Sequence, residues 1–156
     1  LGCDPHNESA VRRLFDLKQR PAGIGVLLIA ADFLQVADYL GNCPADAIER
    51  AKASWPGPNT WIFPASKTVP SWVVGEHVGI AIRITAHPVA SALCRGFGGA
   101  LVSSSANIHG QPAAKNVLEL RHMFADQLDA VVDGALGGLE RPTTIRDAIS
   151  GNVVRH

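Results

Sequence analysis

The chain lacks an excess of charge of either sign and has few cysteines. Both features reduce the number of functions that the sequence allows. Lys+Arg and Asp+Glu number 14 each, so the formal net charge is zero and the chain as a whole does not attract nucleic acid. This disfavours nucleic-acid binding as the main function. Cys3, Cys43 and Cys94 form no CxxC pair, and none of the six histidines has metal-ligand spacing. We therefore expect reduced thiols in a cytoplasmic protein, with no metal site.

Long apolar runs and common nucleotide-binding motifs are also missing. No stretch reaches the ~18 apolar residues of a membrane span, and no signal peptide is present. The sequence has neither a Walker GxxxxGK[ST] motif nor a GxGxxG after a strand, and no histidine is paired into a catalytic dyad. With 156 residues, 47% of them hydrophobic, the chain predicts a single globular domain. It begins with Leu1 rather than Met, and we expect N-terminal residues to be missing.

Short apolar runs alternate with amphipathic segments along the chain, which predicts an α/β protein with a layered, largely buried sheet. A closing hairpin makes that sheet mixed. The predicted strands are 26–30, 60–63, 78–85, 100–103, 128–132, 143–146 and 152–155. The predicted helices are 7–20, 32–40, 44–55, 87–94 and 115–124, with one helical turn at 71–73.

A run of small hydroxyl residues, 103–105, ends one predicted strand and is followed by Asn107 and Gly110. Small side chains let a ligand approach the backbone, and hydroxyl and N–H groups at a strand end suit phosphate or carboxylate oxygens. An ordinary Ser/Asn-rich loop is the alternative interpretation.

Four cations stand at unusual places. Lys18 and Arg20 precede Pro21, where they either complement a helix C-terminus or clamp a triphosphate. Arg83 lies on an apolar strand, so it forms a structural ion pair or binds an anion at the carboxyl end of the sheet. Arg155, in the closing hairpin, is compatible with an edge-strand charge that prevents aggregation.

The order of the motifs resembles the YrdC family of threonylcarbamoyl-AMP synthases over about residues 2–155. The segments that carry this resemblance are LKQRP (17–21), WPGPNTWIFPA (55–65), IAIRITAHP (80–88), LVSSSANIHGQPA (101–113) and PTTIRDAISG (142–151). The resemblance implies one YrdC-like domain, 1–156, with a twisted mixed sheet, packed helices and a concave ligand cavity. It also implies a nucleotidyltransferase that makes threonylcarbamoyl-AMP and pyrophosphate from L-threonine, bicarbonate and ATP carrying Mg²⁺. The product would feed a downstream threonylcarbamoyltransferase that modifies tRNA.

The resemblance also implies roles for particular residues. The family's Lys-x-Arg corresponds to Lys18 and Arg20, which with one serine of the hydroxyl run would act on the reacting phosphates. Thr85 and Thr143 would contact the threonine substrate. The complete implied set is catalytic Lys18, Arg20 and Ser105; ATP-binding Lys18, Arg20, Ser103, Ser105, Asn107 and Arg155; and substrate-binding Thr85, Thr143 and Arg83.

Two departures from the family pattern leave other functions open. The family's early Tyr-Pro-Thr-Glu strand would lie upstream of Leu1, which predicts a domain truncated at its N-terminus. Ile24 stands where the family often has a polar residue. The alternatives are a nucleotide-binding relative without turnover, and an RNA-binding or ribosome-maturation factor with weak contact to tRNA or double-stranded RNA.

Overall fold

One mixed sheet organises the chain in a computed structural model that describes residues 1–139 and 142–155. The sheet has six strands in the order β4-β1-β3-β2-β5-β6. The strands are β1 (Leu27–Ala30), β2 (Asn59–Pro64), β3 (Gly79–Ile84), β4 (Leu101–Ser103), β5 (Thr144–Asp147) and β6 (Val153–Arg155). β1 is parallel to β3 and β2 is parallel to β5, whereas the other neighbouring pairs are antiparallel.

The helices begin and end where the sequence supplies the local chemistry for it. Asn7 caps the first helix by accepting a hydrogen bond from the backbone of Ala10 at 3.1 Å, and Gln19 ends it with φ 49°. Pro88 opens the fourth helix, where the missing N–H costs nothing. The helices are α1 (Glu8–Lys18), α2 (Ala45–Lys52), α3 (Ser71–Val74), α4 (Pro88–Phe97) and α5 (Val117–Phe124). None of the described helices is long and apolar enough to cross a membrane.

The alternation of side chains along the central strands divides the sheet into two different faces. Leu28, Ile82 and Trp61 lie side by side in the register and are all buried in the core. The core also contains residues of α1, α2 and α3. Ile29 and Arg83, one residue further along their strands, therefore point to the opposite face. There α4 covers β1, where the Cys94 thiol lies 3.5 Å from the Ile29 carbonyl oxygen.

Most predicted elements are confirmed, but two are wrong. The helix predicted over 32–40 is two short 3₁₀ turns, Phe33–Gln35 and Ala37–Tyr39. The Gln35 side chain is hydrogen-bonded to Ala31 N and Cys94 O, which holds this turn against α4 instead of letting it continue as a helix. The strand predicted over 128–132 has no regular structure, because the segment pairs with no described strand. Its Asp129 is bound by Arg13 at 2.7 Å.

Burial of β2 generates a prediction about stability. Phe63 is 0% exposed in the core, whereas Phe97 on α4 is 48% exposed. Phe63→Ala should lower the free energy of unfolding by about 3–5 kcal/mol, because it removes buried apolar contacts and leaves a cavity. Phe97→Ala should change the free energy of unfolding by less than about 1 kcal/mol. Urea unfolding followed by circular dichroism measures both, and similar losses in the two variants would contradict the assignment of the core.

Candidate anion-binding site

The structure brings most of the predicted site residues together in two groups, one around Lys18 and one around Arg83. Arg83 pairs with Ile29 in the register, and Thr60 lies beside Arg83, since the next residue of β2, Trp61, pairs with Ile82. Thr60 in turn pairs with Ile145, and Ile145 pairs with Arg155. One row of the sheet thus runs from Arg83 to Arg155. The C-terminal end of α1 and the loop after β4 add the remaining polar groups.

Lys18 joins α1 to the loop after β4. The residue is 3% exposed, and its ammonium group donates to the carbonyl oxygens of Ser105 at 2.5 Å and Asn107 at 2.8 Å, and to Asn107 Oδ1 at 3.1 Å. Burial, followed by the charge of Arg20, lowers the pKa of Lys18 to about 8. All three ammonium protons therefore have acceptors within the protein, so Lys18 holds the loop in place as well as supplying charge.

The loop itself is an internally bonded hydroxyl and amide cluster. Ser105 Oγ donates to Asn107 Oδ1 at 2.5 Å, and Asn107 Nδ2 donates to the carbonyl oxygen of Gln111 at 2.6 Å. Ser105 is exposed, whereas Ser103 is half-buried at the end of β4 opposite Leu27. The Asn107 side chain thus links Lys18 and Ser105, which brings the predicted Lys and Ser/Asn motifs into one unit.

Arg20 and Arg155 supply positive charge from opposite ends of the chain. Arg20 Nη2 donates to the carbonyl oxygen of Gly25 at 2.9 Å, and the guanidinium lies over the Phe15 ring at 5.9 Å from its centroid. Burial, followed by the charge of Arg155, lowers the pKa of Arg20. Arg20 Nε is buried without a hydrogen-bond partner among the described residues. The positive charges of Arg20 and Arg155 thus act against each other, an arrangement that suits an anionic ligand.

Arg83 is the centre of a second polar group. Its Nη1 donates to Thr143 Oγ1 at 3.2 Å, and Thr143 Oγ1 lies 3.0 Å from Thr60 Oγ1. Burial lowers the pKa of Arg83, and its Nε is also buried without a partner in the described part of the chain. The ion pairs found between described residues do not include Arg83. This favours the anion-binding interpretation of Arg83 over the structural ion pair.

Thr85 and Ile24 occupy more peripheral positions. Thr85 is buried, and its hydroxyl oxygen accepts a hydrogen bond from the backbone of His87 at 3.1 Å, so it stabilises the turn from β3 into α4. Its contact with substrate stays a prediction. Ile24 is partly exposed in the 3₁₀ turn Ala22–Ile24 and offers no polar group. The concave shape of the cavity also stays a prediction.

Sequence reasoning missed Thr60, although a signal for it was present. Trp61 and Phe63 are the inward residues of β2, so alternation places Thr60 on the other face. What the sequence alone does not reveal is that β2 lies directly between β3 and β5. That strand order brings the Thr60 hydroxyl next to Thr143.

Comparison with known proteins assigns this arrangement to a family. The family model Sua5_yciO_yrdC, described as "Telomere recombination", matches residues 1–156. The chain belongs to this family. It is 55% identical to a threonylcarbamoyl-AMP synthase of Halorhodospira halophila, with 99% of this chain and 81% of the relative covered. It is 52% identical to the enzyme of that name from Stenotrophomonas maltophilia, covering 99% and 84%.

Solved structures of the family have the same fold. The structure of P. abyssi Sua5 complexed with L-threonine is similar with a TM-score of 0.86 and 30% identity, covering 94% of this chain and 43% of that chain. The chain therefore spans less than half the length of that protein. E. coli YciO, at 24% identity and a TM-score of 0.82, shares the fold. The expected α/β fold with a mixed sheet and packed helices is thus confirmed.

The lowered pKa of Lys18 generates a prediction about pH. Below about pH 8 the folded protein carries a buried ammonium at Lys18. Above that pH, Lys18 loses its proton in the folded state, whereas the unfolded chain keeps the proton up to the ordinary lysine pKa of 10.5. The unfolded state then binds more protons, so stability rises with pH. The free energy of unfolding of the wild type, minus that of Lys18→Gln, should increase between pH 8 and 10 by up to about 1.4 kcal/mol per pH unit.

Guanidinium titrations at several pH values measure this difference. The subtraction cancels the other titrating groups, which both proteins share. A difference that is flat or falls across this range would mean that the Lys18 ammonium keeps its ordinary pKa in the folded state.

Proposed function

We propose that the chain is a threonylcarbamoyl-AMP synthase that forms threonylcarbamoyl-AMP and pyrophosphate from L-threonine, bicarbonate and ATP. The observation that carries the proposal is the set of partly or fully buried cations at the predicted positions, in which two guanidinium Nε atoms are buried without a described partner. These cations are Lys18, Arg20 and Arg83, and Arg155 acts on Arg20 from β6. The names of its 55% and 52% identical relatives support the choice of reaction.

The charge of the site suits the triphosphate of ATP. A guanidinium group can bind two phosphate oxygens at once through parallel N–H donors. Donors that are already fixed in place also stabilise the negative charge that develops on the leaving pyrophosphate. Arg20 is held by Gly25 and Arg83 by Thr143, and each retains an Nε that has no partner among the described residues. In this proposal Arg20 and Arg155 bind phosphates, whereas Arg83 binds the carboxylate of L-threonine. Ser105 and Asn107 line the phosphate path, and Mg²⁺ arrives with ATP.

The proposed chemistry needs no covalent nucleophile from the protein. The amino nitrogen of threonine bonds to the carbon of bicarbonate with loss of water, which gives a carbamate. A carbamate oxygen then attacks the α-phosphorus of ATP, and the bond to the bridging oxygen breaks so that pyrophosphate leaves with the electron pair. The enzyme contributes by holding the reactants in line and by neutralising charge.

The same proposal indicates which kind of enzyme consumes the product. An acyl adenylate is an activated donor, so a transferase that passes the threonylcarbamoyl group to tRNA must consume it. We place this activity in the cytoplasm, where such a partner would meet tRNA. The zero net charge of the chain supports a role in supplying this intermediate, rather than one in binding RNA tightly.

Pyrophosphate release tests the proposal. With the purified chain and ATP·Mg²⁺, release should require both L-threonine and bicarbonate. Arg83→Gln should reduce kcat/KM roughly 10²-fold, because one fixed donor to the anionic reactants is lost. Arg95→Gln, on the exposed side of α4, is the matched control and should retain full activity. Release without either co-substrate, or equal losses in both variants, would refute the proposal.

A further inference from the structure

Thr60 is a completely buried hydroxyl residue on the site face of the sheet. It is 0% exposed, and its Oγ1 lies 3.0 Å from Thr143 Oγ1. Among the described residues, Thr143 is the hydrogen-bond partner of this hydroxyl. A side chain buried this deeply does not touch a ligand itself, so any effect on substrate must pass through Thr143.

The direction of the hydrogen bond follows from counting protons and lone pairs. A hydroxyl has one proton to donate and two lone pairs that accept. A buried proton without an acceptor is costly, and Thr143 is the described acceptor, so Thr60 donates to Thr143. Arg83 Nη1 donates to the same oxygen at 3.2 Å. Both lone pairs of Thr143 Oγ1 are then occupied, and the Thr143 proton is free to point away from both donors, into the site.

We propose that Thr60 is a positioning residue that fixes the Thr143 hydroxyl as a hydrogen-bond donor to the carboxylate of the amino-acid substrate. This inference rests on the proposed function. The Nε of Arg83 is buried without a partner in the part of the chain that the structure describes, and it lies in the same side chain that donates to Thr143. Arg83 and Thr143 therefore offer a charged and a neutral donor to a carboxylate. A substrate with a hydroxymethyl group in place of the carboxylate lacks the charge that such donors select.

Variants that change only the Thr60 hydroxyl test this role. Thr60→Val replaces the hydroxyl by a methyl of similar size and suits a strand. It should weaken L-threonine binding in calorimetric titration roughly tenfold, and raise the KM for L-threonine to the same extent. The KM for ATP should stay within about twofold, a split that general damage to the fold would not produce. Thr60→Ser should restore binding. Thr68→Val, whose hydroxyl bonds Ser66 on the surface, is the matched control.

A double-mutant cycle isolates the pathway through Thr143. In a Thr143→Val background, Thr60→Val should cause no further loss of L-threonine affinity, since the group it orients is already absent. The wild type should also bind L-threonine more tightly than L-threoninol, and Thr60→Val should narrow this preference. If Thr60→Val does not fold, the same preference measured in Thr60→Ser and Thr143→Val still tests the proposal.

The possible outcomes separate this inference from the proposed function. Four results would each overturn the role of Thr60. Two concern Thr60→Val itself: unchanged affinity for L-threonine, or equal losses of affinity for L-threonine and ATP. The other two are additive losses in the double-mutant cycle and no L-threonine binding by the wild type. Pyrophosphate release by the wild type tests the proposed function on its own. A chain that binds L-threonine in the expected order of variants but releases no pyrophosphate would support the inference and refute the proposed function.

Discussion

The site depends first on the buried ammonium of Lys18. A charge this deep in a protein is costly unless each proton has an acceptor, and here the loop after β4 supplies three of them from Ser105 and Asn107. The backbone N–H of His109 donates in return to the Lys18 carbonyl oxygen at 2.7 Å. Helix α1 and the loop are thus tied together at both the side chain and the backbone. The positions of Ser105, Asn107 and Arg20 all follow from this connection.

The alternation of a β-strand lets one sheet serve as both core and site. Ile82 and Ile84 of β3 pack into the core, while Arg83 between them points to the opposite face. The backbone around Arg83 is therefore held by the packing of its neighbours, which fixes the guanidinium with little loss of freedom on binding. Trp61 and Phe63 fix Thr60 in the same way on β2. Rigid strands of this kind hold binding groups more accurately than loops do.

Local patterns predicted the strands and the face of Arg83, because alternation is a short-range property of the sequence. Local patterns failed to predict the structure where contacts between residues distant in the sequence determine the backbone conformation. The 32–40 segment has helical spacing, yet Gln35 is engaged by Cys94 on α4 and the chain forms 3₁₀ turns. The 128–132 segment is apolar enough for a strand but has no neighbour to pair with. Thr60 was missed for a related reason, since its contact with Thr143 depends on the order of the strands. Only the family resemblance could link residues as far apart in the sequence as Lys18 and Asn107.

The buried cations of the candidate site lower the stability of the fold, although the proposed function depends on them. Burial lowers the pKa of Arg20 and of Arg83, so the folded protein bears a cost for holding these charges. The described ion pairs of the chain lie elsewhere and do not offset it. Exchanging these arginines for apolar residues would relieve the cost but would remove the proposed donors to an anionic reactant. A bound anion relieves the same cost and so stabilises the fold by mass action. Fixed charges that repel one another are therefore the property on which the proposed binding of an anionic reactant rests.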